Sequence, residues 1–143
     1  MPTSHVAQFA LGLVVGVCIF AWWKGNLPER LAALIIMLNS VIFIAGGYLA
    51  PSSMQPVLLL ADDALTAVGL LAITMRYGSL WLGGAMLLYA AQFTLHSFYF
   101  VTDRPTDVFH AYANNIDFLG VILCLAVGTI VAMRRRAAER RAG

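Results

Sequence analysis

The stretch "LHSFYFVTDRPTDVFHAYANNID", residues 95–117, joins two long apolar runs and decides how this chain is folded. Its centre, "TDRPTD", is polar and carries a proline that sets a turn, so the chain reverses there. The run before it covers residues 80–101 and the run after it covers 108–133. Each is about the length needed to cross ~30 Å of hydrocarbon. The quoted segment is therefore a helix end, a hairpin and a helix start.

Three more runs of the same kind lie upstream, at residues 5–23, 30–49 and 57–75. The first ends in "WWKG", an aromatic pair followed by a charge, as at a membrane interface. "KGNLPER" links the first run to the second, "APSSMQP" the second to the third, and "RYGS" the third to the fourth. The 143-residue chain is 61% hydrophobic and only 11% charged. A soluble domain of this size carries about a quarter charged residues to wet its surface. The expected fold class is therefore an all-α integral membrane protein, with five transmembrane helices in one bundle. The N-terminal run has no basic leader and no small-residue cleavage site after it, so it is expected to be a retained helix. Cys18 and Cys124 sit inside apolar runs, fit no metal or redox spacing, and read as small apolar fillers.

Charge sets the expected orientation. With five spans, Lys24, Arg30, Arg76, Arg134, Arg135, Arg136, Arg140 and Arg141 share one side, and only Arg104 falls on the other. The positive-inside rule then puts the N-terminus outside and the C-terminus in the cytoplasm, with residues 134–143 as a basic tail. Arg134, Arg135 and Arg136 should lie against anionic lipid, each worth about 1 kcal/mol near the surface. The acids run the other way. Asp62, Asp63, Asp103, Asp107 and Asp117 are outer, as are His5, His96 and His110, while Glu29 and Glu139 are inner.

Helical spacing collects the outer polar groups into stripes. On the fourth run Tyr89, Gln92, His96, Tyr99 and Asp103 recur every three or four residues, and on the fifth His110, Asn114 and Asp117 do. The third offers Asp62, Thr66 and Gly69, with Asp63 beside them; the first offers His5 and Gln8. The second contributes only Asn39 and Ser40. An ionised carboxylate facing lipid costs at least ~2.5 kcal/mol, so the stripes should turn inward. Asp62, Asp63, Gln92, His96, His110, Asn114 and Asp117 are thus the candidate lining of an outward-facing polar pocket. Their simplest role is hydrogen-bond glue between helices. The loop residues Asp103, Arg104 and Asp107 read as an ordinary solvated hairpin.

Three functional uses remain open for the pocket. His96 and His110 with Asp62 and Asp117 form an N/O ligand set for a metal, although no HxxxH or ExxH pair accompanies them. Two histidines could serve a haem. Carboxylates and a titrating His could carry a proton or cation, but the inner half offers no polar path. Gly12 and Gly16 in "GLVVG" match the GxxxG pattern of close helix contacts, within the bundle or between subunits. No nucleotide loop, Ser–His–Asp order or CxxC motif supports an enzyme class, and five arginines beside a membrane helix do not argue for nucleic acid.

"KGNLPERLAA", the Asp62 region and "WLGGAMLLYAAQFTLH" resemble a group of small, uncharacterised proteobacterial inner-membrane proteins. That resemblance covers about half the chain and implies a bacterial inner membrane, with no activity or cofactor attached. The expected function is a small binding or accessory subunit, packed with other membrane subunits or with itself. A proton- or cation-coupled transporter is the alternative, and a metal or haem redox protein stands third.

Overall fold

A computed structural model describes residues 5–51, 53–105 and 107–142, with side chains from residue 8 onward. His5, a candidate from its sequence position, is outside the described side chains. Five α-helices follow one another: α1 (His5–Lys24), α2 (Leu27–Leu49), α3 (Gln55–Tyr77), α4 (Leu80–Val101) and α5 (Val108–Ala142). Three of them, α2, α3 and α5, are long and apolar enough to cross a membrane, while the apolar stretch of α1, Gln8–Lys24, is shorter. α4, at 22 residues, is nearly as long as α2 and α3 and carries Gln92, His96 and two glycines.

The helix ends follow from local chemistry. α2 begins three residues earlier than its apolar run, because Pro28 is tolerated in a first turn and the Asn26 amide donates to Glu29 Oε2 at 2.9 Å. α3 likewise opens on a proline and closes at Gly78, whose φ of 58° lets its N–H bond the Thr74 carbonyl. α5 runs on through the arginine-rich tail to Ala142, since alanine, arginine and glutamate all favour helix and no breaker intervenes. The tail is thus a helical extension of α5. Arg136, expected to lie on lipid, donates from its guanidinium to the Lys24 carbonyl. A cation there satisfies an orphan carbonyl at the C-terminus of α1.

The helices form a closed ring. Each packs on its neighbour in sequence, α1 closes against α5, and α2 touches α5 across the middle. The core is built of Val14, Ala21, Ala32, Ala33, Ile36, Leu70, Leu82, Ala85, Ile122 and Leu125, all nearly inaccessible. Its small residues matter, because where lipid replaces water helices associate through close van der Waals packing. Large apolar side chains such as Phe9, Trp23, Leu49, Leu65, Val68, Met75 and Leu87 point away from the bundle.

The glycine contacts differ from the expectation for Gly12 and Gly16. A Cβ added at either would meet nothing within 4 Å, so neither sits in a helix contact of this chain. Both lie on the outward face of α1, whose inward face is Val14, Cys18 and Ala21. The close approaches are on α5 and α3: a Cβ at Gly128 would stand 2.5 Å from the Trp81 ring, one at Gly120 2.7 Å from Leu88, and one at Gly69 2.8 Å from Ile35. The GxxxG spacing was present on α1, but the rotation of the helix turned it outward.

Candidate functional site

Two carboxylates two turns into α3 organise the polar cluster. Asp62 and Asp63 are adjacent in sequence, so they leave the helix about 100° apart and reach different neighbours. Asp62 turns to α2, where Asn39 Nδ2 donates to its Oδ2 at 2.8 Å. The same amide accepts from Tyr89 of α4 through Oδ1, at 3.2 Å. Asp63 turns to α4 and pairs with His96 Nδ1. All four residues other than His96 are buried, at 7% exposure or less, so the bonds replace the water these groups lose.

From His96 a line of rings leads to the α4–α5 loop. The imidazoles of His96 and His110 stack with centroids 5.0 Å apart, and the Tyr99 ring meets His110 edge-on at 4.7 Å. The Tyr99 hydroxyl donates to Asp107 Oδ1 at 2.7 Å. Asp107 also accepts from the His110 backbone N–H at 2.9 Å and from Arg104 at 2.8 Å. Expected to be plain solvated loop, Asp107 is in fact the N-cap of α5 and a strap between α4 and α5. Those donors, the His110 amide foremost and the Tyr99 hydroxyl next, hold its carboxyl below the usual carboxylate range. The hairpin turns at Asp103, whose φ of 48° is one of the few left-handed positions an aspartate accepts readily.

The remaining candidates are placed differently. Gln92 is buried between Tyr89 and His96 on α4, and its Oε1 has no donor among the described residues. Asn114 Oδ1, one turn beyond His110 on α5, is a second such acceptor. Asp117 is half-buried and takes part in none of the described hydrogen bonds. The sequence groups Asp62, His96, Asn114 and Asp117 in one outward-facing polar pocket. The tertiary structure pairs His96 with Asp63 and gives Asp62 to Asn39. Asn39 is the member underrated from sequence; a lone amide in the middle of an apolar helix was its signal.

The geometry bears on what the cluster can hold. Among the described residues no three His, Cys, Asp or Glu side chains are arranged to hold a metal ion, so His96, His110, Asp62 and Asp117 do not converge as a ligand set. His96 and His110 stack ring on ring, whereas two axial haem ligands point at one iron from opposite sides. The arrangement is a hydrogen-bonded network with two free acceptors at its edge. Two crevices lie elsewhere, one between α1 and α2 and one lined by Ile42, Gly46, Gln55 and Leu58.

Compared with known protein families, curated proteins and solved structures, the chain matches none. Its class therefore rests on its own features: an all-helical chain with three helices able to cross a membrane and a buried Asp–Asn–Tyr and Asp–His cluster.

Proposed function

We propose that this chain is a multi-pass protein of a bacterial inner membrane, crossing it five times with the N-terminus outside and the C-terminus in the cytoplasm. Its role is that of a small binding or accessory subunit, packed in a larger membrane complex or with itself, whose periplasm-facing polar cluster holds structure and takes a small ligand. The observation that carries this reading is the contrast between the two halves of the bundle. Asn39, Asp62, Asp63, Tyr89 and His96 join α2, α3 and α4 toward the α4–α5 loop. Toward the basic end the interior is filled mostly by apolar residues, Ala21, Ala32, Ala33, Leu70, Ile73 and Leu82, with Glu29 and Thr129 the buried polar side chains there. A polar site over a mostly apolar half suits binding, because a transported ion needs donors or acceptors all the way across. Gln92 Oε1 and Asn114 Oδ1 are acceptors that a ligand bearing hydrogen-bond donors would satisfy.

A proton- or cation-coupled transporter is the second reading, favoured by the line Asp107, Tyr99, His110, His96 and Asp63 that reaches from the loop into the bundle. Proteoliposomes with an internal pH dye and a cation indicator separate the two. A binding subunit passes no flux, and blue-native electrophoresis of native membranes places it in a particle larger than its own 15.5 kDa chain can form. A flux abolished by His96→Ala would replace the first reading with the second.

A further inference from the structure

The larger of the two crevices lies away from the polar cluster, at the basic end of the bundle. It is an open groove of about 630 Å³ between α1 and α2, a volume in the ~300–1,000 Å³ range of ordinary ligand sites. Its walls are apolar, with Ile19, Leu34 and Met37, and Trp22, Trp23 and Arg30 line it as well. One cation lines it and two more lie next to its lining. Arg30 lines the crevice itself, the Lys24 ammonium stands 4.6 Å over the Trp23 ring, and Arg136 reaches the Lys24 carbonyl from α5. None of the three has an acidic partner among the described ion pairs. Of the acids at this end, Glu29 is buried and accepts from the Asn26 amide, and Glu139 is exposed beyond Arg136 on α5.

We infer that this crevice is a binding site for one anionic phospholipid of the adjoining leaflet. An acyl chain lies along Ile19, Leu34 and Met37, and the phosphate sits against Arg30 with Lys24 and Arg136 close by. The chemistry is complementary in both parts: an apolar slot for a chain, and unpaired cations at its mouth for a phosphate. Tryptophans at that level suit the boundary between headgroup and chain. The inference rests on the proposed membrane placement and not on the role of the polar cluster.

Native mass spectrometry of the full-length protein, released from nanodiscs of mixed phosphatidylglycerol and phosphatidylcholine, tests it. One phosphatidylglycerol should remain bound in preference to phosphatidylcholine. Arg30→Gln should weaken its retention about fivefold, the effect of one basic contact, and Arg30→Lys should keep most of it. Ile19→Trp, which narrows the slot without changing charge, should also displace the lipid, while Arg140→Gln in the tail should not. Both lipid-displacing substitutions are at exposed positions, and a melting curve in the same detergent confirms the fold. Equal retention of the two lipids, or equal losses in Arg30→Gln and Arg140→Gln, overturns the site and leaves a diffuse basic surface. If the chain is released from membranes by carbonate without detergent, the membrane placement itself fails.

Discussion

Asp62 and Asp63 show how much one position along a helix decides. Neighbours in sequence and both nearly inaccessible, they serve two different helices. Asp62 accepts from a neutral amide, and an asparagine in its place could still accept from Asn39. Asp62→Asn should therefore cost about 1 kcal/mol or less. His96→Ala leaves Asp63 buried without its partner, a loss of about 3–5 kcal/mol. Unfolding titrations in mixed micelles should give that order, and the reverse order would mean that the aspartates' partners are misassigned. Asp107 makes a pH-dependent prediction at the same scale. Its folded pKa lies below the unfolded value of about 3.9, so its contribution is full above that value and is lost as pH falls through the lower, folded one. The Asp107 carboxyl, followed by NMR, should titrate below about 3.9, with the first turn of α5 still ordered at that pH. A midpoint at or above the unfolded value would mean that the capping bonds are not made.

At the scale of the element, helix existence and helix packing separate cleanly. The apolar runs and their Gly and Pro breaks predict five helices, and the observed ends fall within a few residues of them except on α5. From sequence the tail of α5 is a separate segment because its polarity changes there, while its helix propensity does not. Packing glycines were not legible in the same way. Gly12 and Gly16 have the spacing of a contact pair and face outward; Gly120 and Gly128 have no such spacing and lie under Leu88 and Trp81. Gly128→Ala should destabilise the bundle by about 1–3 kcal/mol, since the clash is with the body of a ring that must move as a whole. Gly12→Ala and Gly16→Ala should stay within about 0.5 kcal/mol in the monomer. Thermal unfolding of the three variants in one detergent checks this. A loss of self-association in Gly16→Ala without a loss of stability would assign that face to a subunit contact.

For the whole molecule, the distribution of charge makes the prediction. Eight of the nine basic residues fall on the loops and tail of one end under a five-helix path, and five of the seven acids toward the other. A reporter active only in the cytoplasm, fused after Gly143, should be active, and one fused before Met1 should be silent. The opposite result would reverse the proposed orientation and place the polar cluster on the cytoplasmic side. What the sequence by itself determined is the helical class, the number and approximate limits of the helices, and the separation of acidic from basic ends. Those depend on composition and order along one chain, and hydrocarbon-length runs leave few alternatives. Only the tertiary structure decided that Asp63 and not Asp62 meets His96, that Asn39 bridges Asp62 to Tyr89, that Asp107 straps α4 to α5, and that the alanines rather than Gly12 and Gly16 line the α1–α2 seam. Each of these depends on the rotation of a helix about its own axis. That rotation is set by the fit of all five helices together, because no single helix carries enough polarity to fix its own facing.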